Sequence, residues 1–325
     1  MAASVALLVS CAAQAPVSEA EGTAAAGYGR VFGRVHYSYN GAPTELGLAM
    51  LGSHDVTLFV RQAGSDQMQY LKPQRDGTFS WPLKAGDYVL VGLAAGRTAG
   101  SYRENTTRRY MAPIALAEAG TALYIGDIRV QSRGGRYNID VVDEYDETLR
   151  RMQPQLEGAK FRPVKALMQP ERPPGNYKRV QSVCAAAWQL ACSDTHQGVE
   201  IVAPVGPGMT FPSTESLTPV LEWKPSPRKD VTYDVVVYES LTFAYGFGDQ
   251  VNRLLGGRVA YAEGLTEPRF VPPTALQPGK KYEWSVRLRD GDTVSSWSTT
   301  SFSLNLLVAG RRESGRLFAF ETPEK

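Results

Sequence analysis

The chain has 325 residues, more than one ordinary domain and enough for two. Hydrophobic residues at 43% and charged residues at 21% describe globular domains that bury cores, which excludes a disordered or fibrous chain. A formal net charge of +2 excludes a whole-molecule polyanion binder, and no apolar run reaches the ~18 residues of a membrane-spanning helix.

Residues 1–10 are apolar and end at Cys11. Leu8-Val9-Ser10-Cys11 resembles the lipobox of bacterial lipoproteins, with aliphatic and small residues before a cysteine. The resemblance implies a signal peptide cleaved before Cys11 and lipid on its thiol and new amino group. Met1–Val9 is short and carries no Lys or Arg, which a start further upstream would explain. Ala12, in place of Asp, implies the outer membrane, on its periplasmic or its cell-surface side. The competing reading is an apolar N-terminus with a chance match. Residues 11–27, rich in Ala, Glu, Gly, Ser and Pro, read as a flexible tether.

Residues 28–148 read as a first β-domain. Expected strands are Arg30–Tyr39, Val56–Arg61, Thr78–Trp81, Tyr88–Leu93, Tyr110–Leu116, Leu123–Val130 and Tyr137–Val142. Asn40-Gly41-Ala42-Pro43, Arg75-Asp76-Gly77, Lys84–Asp87, Ala119-Gly120 and Arg133-Gly134-Gly135 supply the turns. Short strands at this spacing predict an antiparallel sandwich, with Phe79 and Trp81 on one face. The run Gly33-Arg34-Val35, Gly41-Ala42-Pro43, Asp55–Leu58, Asp76–Trp81 and Ala85–Leu90 resembles the carboxypeptidase regulatory-like, transthyretin-like sandwich over about Val31–Leu93. That resemblance implies a non-catalytic companion or adhesive module.

Asp143 is expected to cap a helix over Asp143–Gln153, with Pro154 just beyond it. Its acidic start and basic end match a helix dipole, so Asp143 and Glu147 read as helix building rather than a catalytic pair. Residues 149–197 read as a Pro-rich basic linker. Leu149–Gln181 holds eight basic against two acidic residues, with prolines at 154, 163, 170, 173 and 174. Arg162, Lys165, Arg172, Lys178 and Arg179 form either a basic strip facing an anionic partner or the charges of a solvated linker. Cys184 and Cys192 enclose seven residues and read as a disulfide worth ~2–3 kcal/mol, or as two buried thiols. A zinc site on that pair lacks further ligands.

Residues 198–325 read as a second sandwich. Pro219–Trp223, Tyr233–Tyr238, Leu276–Trp284, Ser296-Trp297-Ser298 and Arg316–Glu321 resemble a fibronectin type III domain. The resemblance implies a buried Trp223 and a corner in which Tyr282 bonds back to the preceding loop. Two segments depart from it, Leu241–Pro268 and Thr300–Gly315. In the first, Asp249 is expected to cap a short helix over Gln250–Leu255, ended by Gly256-Gly257. Phe243, Tyr245 and Phe247 beside it read either as a partner-binding surface or as packing of the sandwich edge.

The fold expected is therefore mostly β, two antiparallel sandwiches joined by a Pro-rich basic linker with a short helix. No nucleophile elbow, zinc-protease helix or phosphate loop occurs, so no catalytic residues, cofactor or metal ligands are assigned. Basic and aromatic residues do not interleave as nucleic-acid binding requires. The function expected is an envelope lipoprotein that scaffolds protein partners. One alternative is a carbohydrate-binding module using exposed Tyr37, Tyr39 and Trp81. The other is a hydrolase with an unfamiliar site.

Overall fold

The computed structural model describes residues 27–49, 52–99, 102–133, 136–158, 160–181, 196–206, 210–244, 251–300 and 316–325. Cys11, Cys184, Cys192, Tyr245 and Phe247 lie outside the described residues, as does most of Thr300–Gly315. Contacts divide the chain into two compact units. One is Met1–Glu171 with Thr242–Leu254; the other is Arg172–Leu241 with Leu255–Lys325.

In the first unit the strands are β1 (Tyr28–Tyr39), β2 (Ala42–Pro43), β3 (Gly47–Ala49), β4 (Gly52–Gln62), β5 (Met68–Leu71), β6 (Thr78–Lys84), β7 (Gly86–Ala99), β8 (Tyr102–Leu116), β9 (Thr121–Tyr124), β10 (Asp127–Arg133) and β11 (Arg136–Val142). Helix α1 (Tyr145–Gly158) and β12 (Arg162–Lys165) follow. One sheet has the order β11-β10-β1-β9-β12, with β2 and β6 also on β1; the other has β3-β4-β7-β8, with β5 on β4. Alternation along β1 sends Val31, Val35 and Tyr37 into the core shared with Leu58, Leu93 and Ile114 of the second sheet. Phe32, on the opposite face, packs with Ala122, Tyr124, Met152, Leu156 and Phe161 beneath α1. The first sheet is thus covered twice, by a sheet on one face and a helix on the other.

Three details depart from the sequence reading, and β7 carries one irregularity besides. The expected strand Leu123–Val130 is broken at Ile125-Gly126, so that β9 and β10 pair with successive halves of β1, both parallel. Leu90 and Leu93 share the core although three residues apart, because the register skips at Val91 against both neighbouring strands. The helix does not stop at Pro154 but runs to Gly158. Burial of Leu156, 1% exposed, offsets the backbone hydrogen bond that proline removes. Finally, the stretch read as a linker carries strands: β12 extends the first sheet, parallel to β9.

The second unit holds β13 (Arg179–Gln181), β14 (His196–Gln197), β15 (Ile201–Ala203), β16 (Leu221–Trp223), β17 (Thr232–Ala244), β18 (Val251–Leu265), β19 (Arg269–Phe270), β20 (Lys281–Asp290), β21 (Thr293–Ser295), β22 (Thr299–Thr300) and β23 (Phe318–Glu321). The residues Thr242–Leu254 at the ends of β17 and β18 count with the first unit. A sheet β13-β21-β20-β17-β18, with β23 on β20, faces the sheet β15-β16-β19. Trp223, Tyr233, Val235, Trp284, Val286, Phe318 and Phe320 fill the core between them. Tyr282 is 3% exposed and its hydroxyl accepts the Gln277 N–H at 3.0 Å, the corner bond expected from the resemblance. Of the helix expected over Gln250–Leu255, Val251–Leu255 instead begin β18, and Gln250 lies outside the described residues. A Cβ on Gly256 would lie 3.0 Å from both Glu239 Oε2 and Leu241 Cγ, so this glycine serves close strand approach rather than a helix end.

The protein is thus mostly β, in the sandwich class, with parallel pairs among the antiparallel ones. No helix among the described residues is long and apolar enough to cross a membrane.

Candidate functional site

Among the described residues two carboxylates are completely buried, one in each unit, and each organises a polar cluster. In the first unit, His36 of β1 and Asp127 and Arg129 of β10 lie on the sheet face that α1 covers. The parallel register puts His36 opposite Arg129. Asp127 is fully buried. Its Oδ1 accepts the Tyr124 hydroxyl at 3.0 Å, and the Thr148 hydroxyl lies 3.0 and 2.9 Å from its two oxygens. His36 Nε2 stands 2.9 Å from Asp127 Oδ2 and 3.3 Å from Glu144 Oε2. Arg129 holds the other Glu144 oxygen at 2.5 Å.

Glu144 arrives there because the start of α1 is fastened. Its backbone N–H donates to the Tyr124 hydroxyl at 2.9 Å, its carbonyl accepts the Thr148 N–H at 3.0 Å, and Asp143 Oδ1 accepts the Tyr145 N–H at 3.3 Å. Burial, reinforced by the Asp127 charge, pushes the Tyr124 phenol far above its usual range, so it remains a donor. His36 and Glu144 keep 29% and 30% side-chain exposure, so solvent reaches the cluster from one side. Among the described residues this is the one group of His, Cys, Asp or Glu whose donor atoms converge closely enough to hold a metal ion.

In the second unit Asp234, also 0% exposed, faces two guanidinium groups. Arg287 Nε donates to it at 2.9 Å, and Arg289 donates at 2.7 and 2.9 Å. Arg287 lies between the rings of Tyr177 and Trp297, 4.6 and 4.4 Å from their centroids. Its Nη2 also donates to the Pro174 carbonyl at 3.2 Å, and Arg289 Nη1 donates to the Asn176 carbonyl at 2.8 Å. Gly175 sits at φ +91°, where a Cβ would come 2.2 Å from the Tyr261 hydroxyl. Burial and the nearby Asp234 charge push Tyr261 up to about 12. This cluster therefore clamps the segment Pro174–Tyr177 across the outer face of the sheet, and β13 then pairs parallel to β21.

The residues expected from sequence fall as follows. Phe243 is 2% exposed and lies within the first unit, its ring 4.8 Å from that of Phe59, so it packs rather than presents a free surface. Tyr37 and Trp81 are 4% and 5% exposed, and Trp81 stacks on Phe79 at 4.0 Å. The exposed aromatic row required by the carbohydrate reading is therefore not made by these rings, because alternation turns them inward. The basic residues divide between the units. Arg162 and Lys165 lie in the first, 3.7 Å from Glu118 and against Asp143 respectively. Arg172, Lys178 and Arg179 lie in the second, with Lys178 2.6 Å from Asp292. Lys165 and Lys178 thus meet carboxylates of their own units. His36, Asp127 and Glu144 went unassigned in the sequence, since 91 residues separate His36 from Asp127 and no motif spacing marks them. The available signal is the spacing of His36 four residues beyond Phe32 on β1, which puts it on the face of Phe32 rather than that of the sandwich core.

No protein-family model matches the chain, and no curated protein matches it. Solved structures similar to it include the chicken CNTN1 FN1–FN3 domains, at 8% identity over 90% of this chain and 69% of that one, with a TM-score of 0.21. A leucine-rich repeat protein from Bacteroides thetaiotaomicron VPI-5482 is similar at 12% identity over 91% of this chain and 25% of its own, with a TM-score of 0.20. A DUF3823 family protein from Bacteroides ovatus ATCC 8483 is similar at 9% identity over 92% of this chain and all of its own, with a TM-score of 0.16.

Proposed function

We propose that this chain is an envelope lipoprotein, anchored through acylated Cys11 in the outer membrane, whose two β-units act as a non-catalytic scaffold for protein partners. One observation carries the reading: the buried ionisable groups of the second unit serve to hold chain segments together. Asp234, Arg287 and Arg289 bond to one another, to the carbonyls of Pro174, Asn176 and Gly291, to the Gly264 N–H and to Glu263. Such a network rigidifies a framework. The lipobox-like Leu8–Cys11 supports the anchor, and multiple acyl chains would hold a soluble protein stably at a membrane.

Fractionation of the native producer tests the anchor and the scaffold together. The wild-type chain is expected in the outer-membrane fraction, and Cys11→Ser in the soluble fraction. Chemical crosslinking before extraction should recover the same protein neighbours repeatedly with the wild type and fewer with Cys11→Ser. A Cys11→Ser variant that still pellets with membranes, joined to a native mass lacking lipid, would overturn the anchor. Reproducible absence of crosslinked neighbours would overturn the scaffold.

A further inference from the structure

We infer that His36, Asp127 and Glu144 form a binding site for a first-row divalent transition-metal ion, with Zn²⁺ as the natural fit. This inference stands independently of the anchor and scaffold reading.

The argument begins with charge. Asp127 is completely buried, and the donors facing it from Tyr124 and Thr148 are neutral hydroxyls. Burying a carboxylate is costly, and neutral hydroxyls bring it hydrogen bonds but no positive charge. The hydrogen bond of Arg129 goes to Glu144. What faces Asp127 instead is one imidazole nitrogen, which a second carboxylate, that of Glu144, also approaches. Two anionic oxygens therefore converge on one neutral-or-cationic nitrogen. A cation between the three relieves both the burial of Asp127 and the competition for His36.

Geometry favours a metal ion in that place. Three donors at ~2.0–2.2 Å from a tetrahedral Zn²⁺ stand roughly 3.3 Å apart. His36 Nε2 is already 2.9 Å from Asp127 Oδ2 and 3.3 Å from Glu144 Oε2. All three donor atoms lie within 4.8 Å of one another, so side-chain rotation at the partly exposed Glu144 and His36 completes the arrangement. Each carboxylate is also held from behind, as ligands in metal sites are: Asp127 by Tyr124 and Thr148, Glu144 by Arg129 on its far oxygen. One imidazole with two carboxylates is a donor set for Zn²⁺ and its neighbours rather than for a soft thiophilic ion. The partial exposure of His36 and Glu144 leaves room for water at the fourth position. The ligands come from β1, β10 and the residue before α1, so the ion would tie the start of the helix to the sheet.

The test uses the full chain, stripped with chelator and titrated with ZnCl₂ and, as a spectroscopic probe, CoCl₂. One equivalent of either ion should bind, thermal melting should move upward with Zn²⁺, and Co²⁺ should give visible d–d bands of a tetrahedral or five-coordinate N/O site. His36→Gln and Glu144→Gln, at partly exposed positions, should fold and lose the bands and the stoichiometric binding. Thr148→Val, which removes only support for Asp127, should weaken binding by about 10–100-fold. Absence of any melting shift or heat at 1:1 Zn²⁺ would overturn the site. Binding that survives unchanged in His36→Gln and Glu144→Gln, or Co²⁺ spectra dominated by thiolate charge transfer, would place the ion on other residues and overturn it equally.

Discussion

Asp127 and Asp234 are the same residue type, both at 0% exposure, each set against a β-sheet face in its own unit. Their surroundings differ in one respect. Asp234 meets two permanently charged guanidinium groups that deliver three hydrogen bonds, and one of those groups is itself stacked between two aromatic rings. Asp127 meets two hydroxyls and one imidazole. The first arrangement is complete without any other species, because Arg carries its charge at every accessible pH. The second depends on what His36 carries or what it and Glu144 hold. Equal burial of a carboxylate thus says nothing about its role until the charge state of its partners is counted.

The largest expected effect lies at Asp234. Asp234→Ala leaves two guanidinium groups without their buried partner, and breaking such a pair costs about 3–5 kcal/mol. Urea denaturation followed by tryptophan fluorescence should show this as a marked fall in midpoint. A change below ~1 kcal/mol would mean that water reaches both arginines.

Asp127→Asn should cost less in metal-free protein, about 1–3 kcal/mol, because the amide keeps the shape but disturbs hydroxyl donors already aimed at a carboxylate. The comparison sharpens when Zn²⁺ is added: the gap between wild type and Asp127→Asn should widen, while that for Asp234→Ala should not move. An equal response of both variants to Zn²⁺ would remove the distinction between the two clusters.

Asp76 supplies an exposed third case. Partial burial raises its pKa, but the Thr78 hydroxyl and backbone N–H, at 2.7 and 3.0 Å, with the Arg34 charge, more than offset this and hold it below the usual carboxylate range. A group depressed on folding stabilises the native state above its unfolded pKa and loses that contribution as pH falls through the folded value. Acid titration of stability should therefore fall less steeply below about pH 4 in Asp76→Asn than in wild type. Identical acid limbs would show that the turn bond does not survive in solution.

The smallest effect is expected at Lys178, whose partner Asp292 is exposed like itself. Lys178→Ala should leave the denaturation midpoint unchanged at low and at high salt, since solvent screens such a pair. A salt-dependent loss would show that the pair belongs to a larger charged network.

What the sequence discloses here is what short-range chemistry decides. Asp76-Gly77 makes its turn with residues two positions away, and Trp223 and Tyr282 sit in runs whose alternation alone turns them inward. Three misread features share a different cause. The split of β9 from β10, the pairing of β12 with β9 and the pairing of β13 with β21 are settled by strands far along the chain. Prolines and charges at 162–181 looked like a linker because edge strands tolerate both. Gly256-Gly257 looked like a helix end because nothing nearby reveals the strand that approaches so closely. The His36 cluster was hidden for the same reason as β9 and β10, since its members meet only through the parallel register on β1.

The clamped segment Pro174–Tyr177 has a consequence in time. Pro174 is hydrogen-bonded to Arg287, 113 residues later, so the segment emerges before its binding face exists. In that interval an apolar strand would find a wrong partner. A stretch of prolines and like charges has little to collapse onto and no backbone N–H to offer at several positions. The composition that made this region look unstructured would keep it available until the rest of its domain has been made.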